Sequence, residues 1–321
     1  MPPSSHPIAI NVDLGEGYGN YKCGPDEELI PLIDHANVAC GFHAGDPLIM
    51  ARTVALCKQH GVKVGAHPGL PDIQVCVCVW ACFCLCLFLF VFGLVWFNVL
   101  CLLYLSGVRW GGGGGGGGGG VGAPCREKMT CTDMTSVSQG FGRREIKMSP
   151  EELHAIVLYQ IGALQGFLAA ANVPLHHVKP HGILYGMISR DAALCRAVYS
   201  AVPAGIPVFG LAGTAQEEVA RELGLPFVAE LYGDVKYRAD GSLVIDRVKQ
   251  AWRPEDAERH IREQVREGTV TATTGETVQL PLGGYQVSLC CHSDSPGCVG
   301  IVKQARGIIN EWNKEKFPQG G

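Results

Sequence analysis

Short, mostly apolar runs at 8–12, 37–40, 62–65, 177–179, 208–211, 227–231 and 287–291 read as strands. Between them lie longer stretches, at 47–60, 150–171, 191–202, 215–223, 255–267 and 297–313. There the apolar residues return every three or four positions, as one face of a helix requires. In 150–171, Leu153, Ile156, Val157, Leu164, Phe167 and Leu168 form one such stripe. Helix starts are marked where a capping residue precedes a proline, at Asp46–Pro47, Ser149–Pro150 and Ser295–Pro296; Ser149 with Glu152 also makes a capping box. Strands that alternate with helices pair in parallel through right-handed crossovers. Seven such units, with no glycine-rich dinucleotide fingerprint after the first strand, predict an α/β fold closed as a (β/α)7 barrel rather than an open doubly wound sheet.

Chemistry-bearing residues sit at the ends of these runs. Asp13 and Glu16 follow the first, His43 the second, His67 the third and His181 the fourth. Asp234 follows the sixth, and His292 with Asp294 the seventh. In a parallel α/β fold all these positions share one face, the face where ligands bind. A single His or Asp there is commonly a cap; six of seven strand ends carrying one is more than capping explains.

The pattern breaks once. From residue 73 to 108 no side chain is charged, and ten glycines follow at 111–120. Length alone makes the apolar stretch, 75–106, a membrane-span candidate. A span would, however, put strands of one sheet on opposite sides of a membrane. Setting 75–139 aside leaves a chain of about 250 residues, the usual size of one barrel. The expected organisation is therefore a first part of the barrel at 1–74, an apolar and poly-Gly insertion at 75–139 read as translated non-coding sequence, and the rest of the barrel at 140–321.

Composition narrows the partners. The net charge of −4 argues against nucleic acid or an anionic membrane surface. No basic stretch followed by an apolar one marks a signal peptide at the start. Eight of the 15 cysteines fall in 75–139, and the others are scattered in apolar runs, as thiols of a reducing, cytoplasmic compartment would be.

The strand-end motifs are long enough to compare with known families. NVDLGE at 11–16, ACGFHAGDP at 39–47, VGAHP at 64–68, GFGRRE at 140–145, KPHG at 179–182 and CHSDSPG at 291–297 closely resemble the LamB/YcsF family, in order, with the likeness failing only across 75–139. The resemblance implies a barrel related to the glycoside hydrolase/deacetylase type. It also implies the role of the A component in an ATP-dependent 5-oxoprolinase, which opens the lactam 5-oxoproline to glutamate together with two partner subunits. Lactam opening needs a base for water, donors for oxyanion charge and cations for anionic groups. On this reading Asp13, Glu16, His67 and His181 are catalytic, and His43, Arg143, Arg144, Lys179, Asp234, His292 and Asp294 bind substrate. Asp13, His67 and His181 also suit a divalent metal, as in related deacetylases. No GxxxxGK[ST] loop is present, so a partner subunit is one place for ATP to bind. Two alternatives stay open: a metal-dependent carbohydrate deacetylase, and a membrane-tethered, non-catalytic binding protein.

Overall fold

The computed structural model describes residue 4 and residues 6–72, 140–246 and 248–318. Residues 1–73 and 140–321 form one unit. The insertion at 75–139, with both readings of it, lies outside the described residues. Seven parallel strands close into a barrel: β1 (Ala9–Leu14), β2 (His35–Ala39), β3 (Lys63–His67), β4 (Leu175–Val178), β5 (Val208–Gly210), β6 (Phe227–Tyr232) and, after an excursion, β9 (Gln286–His292). The excursion is a small antiparallel hairpin, β7 (Thr269–Thr271) and β8 (Thr277–Gln279). Pairing of β9 with both β6 and β1 closes the ring.

Each strand alternates sharply, for a reason the barrel makes plain. In β1, Ile10, Val12 and Leu14 face outward into the layer of helices and are fully buried there. Asn11 and Asp13 face the lumen, where Asn11 meets Ser288 of β9 and Asn37 of β2. The apolar core thus lies between wall and helices, while much of the lumen is filled by hydrogen-bonded polar groups. His177 of β4 reaches across it to Asn37 Oδ1 at 2.6 Å and stacks on Phe209 at 4.1 Å. There is room because β3 carries Gly65, where an added Cβ would lie 2.3 Å from the His177 ring.

The helices follow the expected starts, with one exception. α1 (Asp26–Leu29) is short, and α2 (Pro47–His60) is capped by Asp46, which accepts from the Leu48 and Ile49 amides at 2.9 Å. α3 (Pro150–Ala171) has the full capping box between Ser149 and Glu152. By length and composition α3 could cross a membrane, but Leu153, Val157, Ile161, Leu164 and Leu168 form its buried face in the barrel's core. α4 (Gly182–Arg190), α5 (Ala192–Tyr199) and α6 (Ala215–Glu222) follow, then α7 (Pro254–Arg262), which runs on as a π-turn over Glu263–Glu267. The exception is α8 (Cys298–Lys316), which starts past Ser295–Pro296, at left-handed Gly297. Ser295 is not a cap there because its hydroxyl donates to Asp234 Oδ2 instead. The strands also run further than expected, so Asp13, His67 and His292 lie on their last rungs rather than beyond them. α1, α4 and the β7–β8 hairpin have no counterpart among the expected elements.

Candidate active site at the barrel mouth

Register brings the polar residues together. Asp13 stands directly across from Asn37 on one side and from His292 on the other, and Ala39 pairs with His67. Asp13 Oδ1 accepts from Lys179 Nζ and from Asn37 Nδ2, each at 2.7 Å. Its Oδ2 is left facing two imidazoles, His67 Nε2 at 3.1 Å and His292 Nε2 at 3.5 Å. Burial alone would push the Asp13 carboxyl up, but His67, Lys179 and His292 outweigh it and hold it well below the usual range. Lys179 is likewise held charged against burial by Asp13.

Beside this pair lies a second group. Backbone carbonyls fix two tautomers, because a carbonyl can only accept. The carbonyl of Lys179 is 2.7 Å from His67 Nδ1, so that nitrogen carries the proton and Nε2 is a bare lone pair. The carbonyl of Phe141 is 2.9 Å from His181 Nε2, leaving Nδ1 bare. Phe141 takes an unusual φ of 45° as it presents this carbonyl. Gly142 beside it is required, since its φ is 62° and a Cβ would fall 2.6 Å from the His181 ring. The two bare nitrogens are 2.9 Å apart. Glu16 Oε1 is 3.2 Å from His181 Nδ1 and 3.4 Å from His43 Nε2, and neither Glu16 Oε1 nor His43 Nε2 has a hydrogen bond. His43 stacks on His181 at 3.7 Å. Burial pushes His43 down to about 4, with the neighbouring His181 adding to it, and lowers His67 and His181. Glu16 is held below its usual range despite burial by its contacts with His181 and His43.

Lone pairs that face one another at this distance repel unless a cation or a shared proton lies among them. Three neutral imidazoles and one carboxylate, all buried and within 4.8 Å of one another, suit a divalent metal. Asp13 borders this group, its Oδ2 3.1 Å from His67 Nε2, and with Cys290 and His292 it forms a second set of ligand atoms equally close together.

The third part of the site is a dyad. His292 Nδ1 donates to Asp234 Oδ1 at 2.7 Å, and Nε2 points toward Asp13. Asp234 is buried, and His292 and Lys249 keep it ionised in spite of that burial. A cavity opens above, with Asp13, Lys179, His181, Asp234 and His292 among its lining residues. Arg143 lines it too and pairs with Asp294 at 2.5 Å. Arg144 does not: it turns away to Asp72 at 2.9 Å, where it anchors a loop. Sequence reasoning missed Asn37, Glu230, Tyr232 and Lys249. The first three sit on strands whose polar–apolar alternation could have placed them in the lumen. Lys249, on the loop after β6, carries no such signal.

A parallel barrel with an imidazole–carboxylate cluster and an Asp–His dyad at the carboxyl ends of its strands has the layout of a barrel enzyme. The chain belongs to the LamB/YcsF family, whose sequence model matches residues 8–75 and 136–319. The lactam utilization protein lamB of Emericella nidulans is 47% identical over 315 residues, covering 98% of this chain and 99% of that protein. The A component of the 5-oxoprolinase of Limosilactobacillus fermentum is 36% identical, over 93% of this chain and 94% of its own. The crystal structure of a lactam utilization protein from Thermus thermophilus superposes with a TM-score of 0.67 at 34% identity, covering 95% of this chain and 96% of that one.

Proposed function

We propose that this chain is the lactam-opening subunit of an ATP-dependent 5-oxoprolinase. The observation that carries the reading is the pair of bare, carbonyl-locked nitrogens on His67 and His181, converging with Glu16 and His43 in a buried cluster that reaches the cavity through His181. Full-length relatives named as a lactam utilization protein and as the A component of 5-oxoprolinase supply the substrate class.

Opening the ring joins a water oxygen to the amide carbon and sends the ring nitrogen away with a proton. ATP would make this favourable by phosphorylating the lactam oxygen; the opened acyl phosphate then loses phosphate to a second water. Among this chain's groups, His292 Nε2 is placed to take the water's proton, because Asp234 fixes its tautomer and stabilises the imidazolium that results. Asp13, held ionised by Lys179 and Asn37, lies 3.5 Å from His292 Nε2, where its charge would stabilise the protonated ring once the proton has moved. Glu16, His43, His67 and His181 would hold a divalent metal, which when bound supplies a Lewis acid for the carbonyl oxygen. This cluster is also what favours the second reading, a metal-dependent deacetylase. ATP is assigned to partner subunits, as is part of the activity. The seven described cysteines are free thiols, most of them buried, which fits a cytoplasmic location.

The working form is read as the chain without 75–139. The family match stops at residue 75 and resumes at 136. Val75 must be encoded by a codon starting GT, and Gln139 by CAA or CAG, so the segment can begin and end with the GT and AG borders of an intron.

The test is glutamate formation from 5-oxoproline by the deletion form, with ATP and candidate partner subunits. Asp13→Asn and His67→Ala should each abolish it while leaving the melting transition cooperative. Near-normal turnover by either variant removes that residue from the reaction, and N-acetyl-sugar deacetylation by the metal-loaded chain alone would replace the whole reading.

A further inference from the structure

The cavity has two unlike ends. One side is apolar: Tyr185 of α4, Tyr232 of β6, and Leu243, Ile245 and Trp252 of the loop that leaves β6 and returns at α7. That loop is tied down by the Trp252 indole, which donates to the Asp234 carbonyl at 3.3 Å, and by Ile245, which presses on Gly186. The other end is charged. Arg143, from the segment before α3, and Lys249, from the loop, reach the same carboxylate, Asp294, from opposite sides. All three side chains are largely buried, at 8%, 12% and 14% exposed.

The two halves of this triad differ. Arg143 meets Asp294 Oδ2 at 2.5 Å, a short charge-assisted contact. Lys249 Nζ stands 3.4 Å from Asp294 Oδ1, and that oxygen is buried with no hydrogen bond at all. Lys249 puts its hydrogen bonds on Ser295 at 3.0 Å and Asp234 at 3.1 Å. A carboxylate oxygen entering at hydrogen-bond distance would therefore be a better partner for Lys249 than Asp294 now is. An ammonium so far desolvated gains more from such a partner than one in water would.

We propose that Lys249, with Arg143, forms the subsite for a carboxylate carried by the lactam ring, and so selects acidic lactams over neutral ones. This rests on the lactam reading above and names its substrate class. The ring would lie against Tyr185 and Tyr232, with its amide over Asp13, His181 and His292. Lys249 is then a specificity-determining residue, distinct from the dyad whose Asp234 it also touches.

Isothermal titration of the form without 75–139 with 5-oxoproline and with 2-pyrrolidinone, the same ring without the carboxylate, tests this. The wild-type protein should prefer 5-oxoproline. Lys249→Met should reduce that preference about 10- to 100-fold, the worth of one hydrogen bond between charged groups, and Lys249→Arg should restore most of it. If Lys249→Met fails to fold by circular dichroism, Lys249→Gln, which keeps an amide donor for Asp234 and Ser295, takes its place. Wild-type protein that binds both lactams alike overturns this inference and leaves the lactam reading standing. So does a variant that weakens both equally, since that is what support of Asp234 alone would give. Protein that binds neither lactam overturns both.

Discussion

A neutral histidine shows one N–H and one lone pair, and at His67 and His181 backbone carbonyls choose which is which. A third set of imidazoles obeys a different control, burial. At the amino-terminal end of the barrel His35 stacks on His176 at 4.8 Å, and His176 Nδ1 lies 3.0 Å from His177 Nδ1. Burial pushes His35 down to about 3 and His176 to about 4, and lowers His177 further below its usual range. These groups stay neutral in the folded protein at pH values where the unfolded chain, near 6.5, is already protonated. The unfolded state binds more protons between those limits, so stability rises with pH through the window and falls as pH drops below about 6.5. Each such histidine adds a slope of about 1.4 kcal/mol per pH unit. His35→Phe should therefore flatten the fall in melting temperature between pH 6 and pH 4. An unchanged slope would mean that His35 is protonated in the native state.

Elements place these residues through register and alternation. Asp13 meets Asn37 and His292 because parallel pairing sets the three level on neighbouring strands. Gly65 shows what the lumen demands. Its missing side chain is the space the His177 ring occupies, and the ring cannot retreat, because Phe209 backs it at 4.1 Å. Gly65→Ala should cost about 1–3 kcal/mol of stability by overpacking. It should also lower turnover, because His177 would lose Asn37, which holds Asp13. Denaturant unfolding and steady-state kinetics on one preparation check both. Wild-type stability would show that the lumen repacks. The strand ends were legible because His, Asp and Glu are conspicuous beside apolar runs. Asn37 and Glu230 were less conspicuous, since only the alternation along their short strands marks them as facing the lumen.

At the scale of the whole molecule, the segment 75–139 is the test. Deleting Val75 to Gln139 should raise soluble yield and melting temperature. The sequence offers dozens of contiguous apolar side chains, more than a monomer surface tolerates, and a glycine run that is costly to order. The deletion joins 68–74 directly to 140–149 and removes the apolar and glycine run from the connection between β3 and α3. Full-length protein that melts cooperatively beside an insoluble deletion form would make the segment part of the fold. The chain by itself determined the barrel, because alternating apolar periods admit few parallel topologies and the strand-end motifs repeat a family pattern. It also determined the face on which chemistry gathers. The tertiary structure alone decided which residues share a point in space. It separated Arg144 from Arg143, turning one to Asp72 and the other to the cavity, though they are adjacent in sequence. It moved Glu16 and His43 into the group with His67 and His181, and it brought in Lys249 from a loop without periodicity. Spacing along a strand fixes direction, but distances across a closed ring depend on how the ring closes. The carbonyls that set the two tautomers come from other strands and loops, which no local pattern encodes.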